Sequence, residues 1–394
     1  MTHLKEFRAE TQDWLKTNCP KGARGPGQIA WGSSKIKLSD DVLIWLERMA
    51  DRGWTVPTWP KEYGGAELTR EEYVILVEEL KAIDARTPLT GRGVNYIGPT
   101  LLELGNDDQK TRWLPGIARG EGGWAMGYSE PGAGSDLASL TTRGELHGNE
   151  YKINGRKIWT SDAMECDYIF VLVRTDTEKP KHEGISLILV DMDQPGVQVN
   201  PIKLLSGASP FNETLFENAT ANANDIVGGL NNGWSVGKRL LQFERSTHAG
   251  INISGSQGGL TQKSRMPEKI KSYINMENGK LKDPLMRQRL IQYEQNFLAQ
   301  SLTQRRAIEE LEARAPAFTS SAVKLTGALN QQEADELLVS AMGMRGVGWE
   351  GNTLEQKEIE VTRAWLRQKA LTIAGGTKEV QLNIIAKRVL GLPD

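Results

Sequence analysis

Cysteine is almost missing from this 394-residue chain, with Cys19 and Cys166 the only two. Two thiols cannot make a disulfide framework or a cysteine-rich zinc centre, so an apolar core has to hold the fold. Histidine is nearly as scarce: the four residues His3, His147, His182 and His248 fall at no metal-ligand spacing, and no metal centre is expected. Neither sign of charge dominates, since 48 Lys+Arg face 50 Asp+Glu for a formal net charge of −2. That balance lacks the basic surplus needed to neutralise several phosphates, which argues against nucleic acid as a partner. No apolar run approaches the ~18 residues of a membrane-spanning helix. The opening segment MTHLKEFRAETQDWLK mixes charged with apolar side chains where a secretory segment would carry an apolar stretch. A cytoplasmic protein without a membrane span is therefore expected. No nucleophile-elbow signature is present either, which leaves serine-hydrolase chemistry without support.

What is present is an ordinary globular composition, 39% hydrophobic and 25% charged. At roughly 100–200 residues per domain, the length predicts two or three cores. Residues 1–121 read as a helical domain. Leu43, Trp45, Leu46 and Met49 recur at helical spacing, as do Tyr73, Val74, Leu76 and Val77, and the clusters KGARGPGQ and PTWPKEYGG punctuate them. Over 122–230 the texture changes to short runs rich in β-branched and aromatic residues, among them YKING, YIFVLVRTD, ISLILVDM and GVQVNPI. Turn signals separate these runs and no helical stretches intervene, which predicts an antiparallel β-domain and argues against a βαβ nucleotide fold. From 231 to 394 helical periodicity returns, beginning at NNGWSVGKRLLQFER, and predicts a helical bundle.

Three segments have the makings of a site. In Ser129-Glu130-Pro131-Gly132-Ala133-Gly134-Ser135-Asp136, two glycines and a proline fix a turn with free amides and two serine hydroxyls. Such a nest suits a phosphate or a polar ring edge, and it reads equally as a tight loop entering a strand. In Lys157-Ile158-Trp159-Thr160-Ser161 an aromatic is followed by two hydroxyls. The indole can cover a planar ring while its neighbours bond the ring's heteroatoms, or it can be a core tryptophan. In Phe243-Glu244-Arg245 a carboxylate stands among Leu240, Leu241 and Phe243. A glutamate facing an apolar cleft is prepared for proton abstraction, whereas one on a wet helix face is a solvated partner of its arginine.

Taken in order, YSEPGAGSDLASLTT, YKINGRKIWTSDA, FNETLFENA, GWSVGKRLLQFER and TIAGGTKEVQLNIIAKRVLGLP resemble the acyl-CoA dehydrogenase family over essentially the whole chain. The resemblance implies an α+β architecture: an N-terminal all-α domain, a central antiparallel β-domain and a C-terminal four-helix bundle. It implies FAD as cofactor. Met126, Tyr128 and Ser129 would line the flavin ring, Gly134 and Ser135 would approach the cofactor or the CoA, and Trp159, Thr160 and Ser161 would cover the ring's far side. Thr377 and Glu379 match positions that contact the adenosine part.

The family's commonest base is a glutamate immediately before the Gly-Thr of the C-terminal motif, but Gly375 stands there in Ala374-Gly375-Gly376-Thr377. Members resembling the isovaleryl-CoA and long-chain enzymes place the base on the helix after Gly-Trp, directly before an arginine, and Glu244-Arg245 matches that pattern. The resemblance thus implies Glu244 as the catalytic base, with Ser135, Arg245 and the Gly375 amide on the substrate side. The implied reaction is dehydrogenation of an acyl-CoA to a trans-2-enoyl-CoA, with electrons passing to an electron-transferring flavoprotein. The implied assembly is a homotetramer or homodimer. Two family motifs are altered. The Arg-Lys-x-Phe-Gly segment has no counterpart in 259–274, and SAMGMRGVG (340–348), containing Gly343, Arg345 and Gly346, replaces Gln-x-x-Gly-Gly-x-Gly. These departures keep open a relative with oxidase, monooxygenase or desulfinase chemistry, or a non-catalytic subunit of a heteromeric dehydrogenase. Arg86 lies about where a glutaryl-CoA-type member holds an arginine, and reads equally as a helix-end surface residue.

Overall fold

The computed structural model describes residues 2–393 apart from 30, 32–34, 88, 249–263 and 313–318, and the side chains at 245–248, 308, 311 and 312 also fall outside the description. The chain divides into two compact units. One runs to Ile202 and resumes over Pro210–Glu244; the other holds Lys203–Ser209 and the helices that follow Glu244.

The first unit opens with helices α1 (Thr2–Asn18), α2 (Asp40–Asp51), α3 (Arg70–Ala82), α4 (Gly98–Leu104) and α5 (Asp107–Arg119). Two of them start in capping boxes. The Thr69 hydroxyl accepts the Glu72 N–H while Glu72 accepts the Thr69 N–H, and Asn106 and Gln109 repeat the arrangement on α5. On α2, Val42, Trp45, Leu46 and Met49 are buried while Leu43 is 45% exposed. On α3 the buried face is Ile75, Leu76 and Leu80, turned slightly from the expected stripe. It includes Glu79, whose carboxylate accepts from Arg8 and Gln12 of α1 at 2.5 and 2.9 Å.

Strands β1 (Trp124–Gly127), β2 (Arg143–His147), β3 (Glu150–Ser161), β4 (Tyr168–Arg174), β5 (Ile185–Asp191), β6 (Val197–Ile202), β7 (Phe211–Asn222) and β8 (Ile226–Val227) form one sheet in the order β6-β7-β3-β2-β4-β5-β8, with β1 beside β4. The pairings are antiparallel except where β1 and β2 meet β4, so the expected antiparallel sheet is mixed at its centre. Neither β1 nor β2 reaches β4 through a hairpin, and only a hairpin demands the antiparallel sense. β4 is buried on both faces, which is why it reads as an unbroken apolar run. Phe170 and Leu172 pack with Ile97, Leu101, Leu114, Val236 and Leu240, and the alternating Ile169, Val171 and Val173 pack with Ile153 and Phe216.

Helix α6 (Gly233–His248) starts against β5. A Cβ on Gly233 would lie 2.4 Å from the Ser186 carbonyl carbon, so only glycine admits this approach. The second unit carries α7 (Met266–Lys271), a hairpin of β9 (Met276–Glu277) and β10 (Lys280–Leu281), and helices α8 (Pro284–Glu312), α9 (Thr319–Met342), α10 (Gln356–Gln368) and α11 (Lys378–Ile384). Its core joins Met266, Ile270, Leu281, Met286, Tyr293, Leu337, Leu338 and Met342. Helices, a β-sheet and helices again make an α+β fold in the expected order. No helix among the described residues is long and apolar enough to cross a membrane.

Candidate active site

The Ser129–Asp136 turn leaves β1 and is stitched to β3 from below. Lys157 Nζ donates to Glu130 Oε1 at 2.9 Å and to the Tyr128 carbonyl at 3.1 Å. Glu130 also accepts the Thr141 and Thr142 amides at 2.7 and 2.8 Å and the Thr141 hydroxyl at 2.8 Å. Ile158 N–H donates to the Ser129 carbonyl at 2.9 Å. Burial by itself would raise the Glu130 pKa, but the Lys157 charge and these hydrogen bonds outweigh it and hold the carboxylate below its ordinary value. Burial lowers the Lys157 pKa, and Glu130 opposes that shift. The pair and its amides fix the ends of the loop, whose tip exposes Gly134 and Ser135.

Trp159 is displayed by a backbone irregularity. The β3/β7 register slips between Lys157 and Thr160, and Trp159 sits in the bulge at φ +62. A left-handed conformation is costly for a bulky residue and points to a functional constraint. The indole is 52% exposed and meets the Phe211 ring edge-on at 6.0 Å. Thr160 is fully buried, and its Oγ1 has no partner among the described residues. Ser161 is half-buried. Just beyond, both Arg92 Nη atoms donate to Asp162 Oδ2 at 3.2 Å.

Helix α6 directs Glu244 by its other faces. Val236 and Leu240 are buried in the core, and Arg239 donates to the Glu103 carboxylate at 2.7–2.9 Å. Gly237 faces Leu172 and Tyr128, whose hydroxyl oxygen is 3.5 Å from where a Gly237 Cβ would stand. Glu244 lies two turns further along that stripe. Its charge reaches two tyrosines: burial and then Glu244 push Tyr96 up to about 12, and push Tyr128 well above its ordinary value. Tyr128 is buried edge-on against Phe170, and its hydroxyl has no hydrogen-bond partner among the described residues. Met126 is half-buried on β1. The Arg245 side chain lies outside the described residues.

In the second unit, Gly375 and Gly376 take φ +65 and +92, and Gly375 is exposed. Thr377 caps α11, its hydroxyl accepting the Val380 N–H at 3.2 Å, and Glu379 is exposed on the first turn. In the altered 340–348 segment, Arg345 makes a forked ion pair with the buried Glu358, both bonds 2.7 Å. Arg86 is anchored by its backbone in the N-terminal helices, its carbonyl accepting from Trp45 Nε1 at 3.1 Å. Among the described residues no cluster of His, Cys, Asp and Glu could hold a metal.

Sequence reasoning missed Glu130–Lys157, Arg92–Asp162 and Tyr96. Lys157 lies in β3 and Glu130 in the turn after β1, but a buried lysine in a strand carries no periodic signal. Tyr96 and Arg92 belong to a separate element from Glu244, and spacing could not connect them.

The chain matches the acyl-CoA dehydrogenase N-terminal domain over 3–121, the middle domain over 125–219 and the C-terminal domain over 231–390. It belongs to the acyl-CoA dehydrogenase family of FAD-dependent oxidoreductases. It is 35% identical over 400 residues to acyl-CoA dehydrogenase IpdE1 of Mycobacterium tuberculosis, covering 100% of this chain and 99% of that protein. Identity to IpdE1 of Mycolicibacterium smegmatis is 36% over 411 residues, with 100% and 99% covered. Among solved structures it is similar to the Tcur3481-Tcur3483 steroid ACAD, with TM-score 0.75, 30% identity and 100% and 98% of the two chains covered. The ChsE4-ChsE5 complex from Mycobacterium tuberculosis is also similar, with TM-score 0.72, 26% identity and 100% and 98% covered. The residues present fit a flavin: an exposed indole held out by a strained backbone stands next to a buried threonine oxygen that has no protein partner.

Proposed function

We propose that this protein removes the α-proton and β-hydride of an acyl-CoA thioester to give a trans-2-enoyl-CoA, with Glu244 as the base. The reading rests on one observation above the others. Glu244 sits on the α6 face shared with Gly237, where its charge adds to the burial that raises the pKa of Tyr96 and Tyr128, while Gly375 offers no side chain at the family's commoner base position. A thioester α-proton is too weakly acidic for a carboxylate unless the developing enolate is stabilised, and hydrogen bonds to the thioester oxygen supply that. The Gly375 amide is assigned this part. Ser135 at the exposed loop tip and Arg245 after the base are assigned to the substrate. Trp159, Thr160, Ser161, Met126, Tyr128, Ser129 and Gly134 are assigned to the flavin ring and its approach, with Thr377 and Glu379 on the adenosine side. When bound, FAD accepts the hydride that leaves the β-carbon. An electron-transferring flavoprotein is the proposed acceptor, and a homodimer or homotetramer the proposed assembly. The likeness to a steroid dehydrogenase supports a bulky polycyclic acyl group as the first substrate to try.

A second reading, in which this chain is one subunit of a heteromeric dehydrogenase, is favoured by Arg345. That residue of the altered segment is engaged by Glu358 of its own chain, and two similar structures carry paired names.

The test is anaerobic mixing of the flavin-loaded protein with a panel of acyl-CoA thioesters. Bleaching by an acyl-CoA, with slow reoxidation in air, is expected, and rapid reoxidation would favour an oxidase. Glu244→Gln should retain flavin and thioester binding but bleach about 10²–10⁴ times more slowly. A rate near that of the unmodified protein would remove Glu244 as base. A homogeneous, colourless protein that takes up no flavin alone would favour the heteromeric reading.

A further inference from the structure

The loop that carries Gly375 is gripped from one side only. Lys324, on α9, donates from Nζ to the Gly376 carbonyl at 2.5 Å and the Leu371 carbonyl at 3.3 Å. Its Cε passes 3.7 Å from where a Gly375 Cβ would stand. From the start of α11, Gln381 Nε2 donates to the Gly375 carbonyl at 3.1 Å. Gln381 is 1% exposed, so this amide is committed to the loop and is not a surface contact. On the other side Ile373 is 66% exposed, with Ala374 and Gly375 also open, and the Gly375 amide donates to no acceptor among the described residues.

We propose that Lys324 and Gln381 are positioning residues that draw the loop carbonyls inward and so hold the Gly375 amide outward to polarise the thioester carbonyl of the substrate. The inference rests on the part given to Gly375 above. Two consecutive glycines at positive φ have no side chains to fix their torsions, and both would otherwise sample several backbone states. Anchoring the carbonyls of Leu371, Gly375 and Gly376 removes that freedom. A donor that is already oriented needs no reorganisation when charge develops on the substrate oxygen. Burial lowers the Lys324 pKa, in keeping with an ammonium turned into the protein and away from water. Glutamate at position 375, the family's commoner arrangement, would bring its own side chain to this loop. With glycine there, the grip from behind is what determines where the amide points.

The probe is acetoacetyl-CoA labelled with 13C at its thioester carbon, bound to the flavin-loaded protein and read by infrared difference spectroscopy. In the unmodified protein the labelled carbonyl stretch should move to lower frequency than in buffer. Lys324→Met and, separately, Gln381→Leu should lose about half of that shift or more, and Lys324→Arg should recover most of it. Turnover should fall about tenfold in Lys324→Met with KM little changed, since one oriented donor is worth that much or more. A full shift in both Lys324→Met and Gln381→Leu overturns the inference while leaving the dehydrogenase reading intact. No shift in the unmodified protein overturns the part given to Gly375, and the inference with it. Should Lys324→Met fail to fold, Gln381→Leu decides alone.

Discussion

Lys157 and Glu130 form an ion pair 2.9 Å long with side chains 0% and 5% exposed, and it ties the central strand β3 to the loop after β1. Two charges taken out of water contribute little net stability together, but either one left alone is costly. The pair therefore acts as a register pin beneath the Ser129–Ser135 loop.

Lys157→Met and Glu130→Leu should each lose about 3–5 kcal/mol in denaturant unfolding, and the double variant Lys157→Met/Glu130→Leu should lose less than the sum. Glu130 has a depressed pKa in the folded state, so its contribution is present above the ordinary value of 4.5 and disappears as pH falls towards the depressed one. Thermal unfolding between pH 6 and 3 should accordingly show a steeper decline for the unmodified protein than for the double variant. Parallel declines would contradict this account.

The glycines of α6 should differ sharply. Gly233→Ala forces a methyl within 2.4 Å of the Ser186 backbone, whereas Gly237→Ala meets its nearest atoms at 3.5 Å. A loss of about 1–3 kcal/mol is expected for the first. The second should be neutral or stabilising by up to about 1 kcal/mol, since alanine is the better helix former. Calorimetric melting of both variants gives the comparison, and equal effects would mean that α6 does not dock on β5 as described.

Trp159 should matter to the cofactor more than to the fold. Trp159→Gly relieves a left-handed backbone worth about 1–3 kcal/mol and gives up a Phe211 contact worth about 0.5–1.5 kcal/mol. The flavin-free protein should therefore unfold within about 2 kcal/mol of the unmodified one. Flavin retention through gel filtration, read as visible absorbance, should drop severely. Normal retention would take Trp159 out of the flavin site.

Tyr128→Phe deletes a buried hydroxyl that has no protein partner. Losing an unsatisfied polar group is expected to leave the flavin-free protein as stable as before, or more stable by about 1 kcal/mol. A clear destabilisation in urea would show that the hydroxyl is bonded after all.

Much of this was readable along the chain. The strands at 151–155, 168–176, 185–192 and 196–202 announced themselves through β-branched runs and turns, and the long α8 through its periodicity. The mixed sense at β4 was not readable, because an apolar run buried on both faces looks the same whichever way its neighbours run. Nor was the face of α3. Glu79 is inside that helix only because Arg8 and Gln12 of α1 meet it there, and a charged residue weighs against burial until its partners are known. The partner of Arg345 is equally invisible in the sequence, since Glu358 lies thirteen residues on and only folding brings the two together.

The sequence alone determined the order of helices and strands, the turn at 129–136, the missing carboxylate at Gly375 and the presence of Glu244 as another acid. These are local matters of residue type, spacing and backbone preference. Only the tertiary structure decided that Lys157 is shut away with Glu130, that Trp159 is pushed out by a register slip, that Glu244 shares its surroundings with Tyr96 and Tyr128, and that Lys324 and Gln381 grip the Gly375 loop. Apart from the six-residue step from Gln381 to Gly375, each of those depends on burial and on partners tens of residues away, and dielectric and proximity are properties of the folded chain that no local pattern encodes.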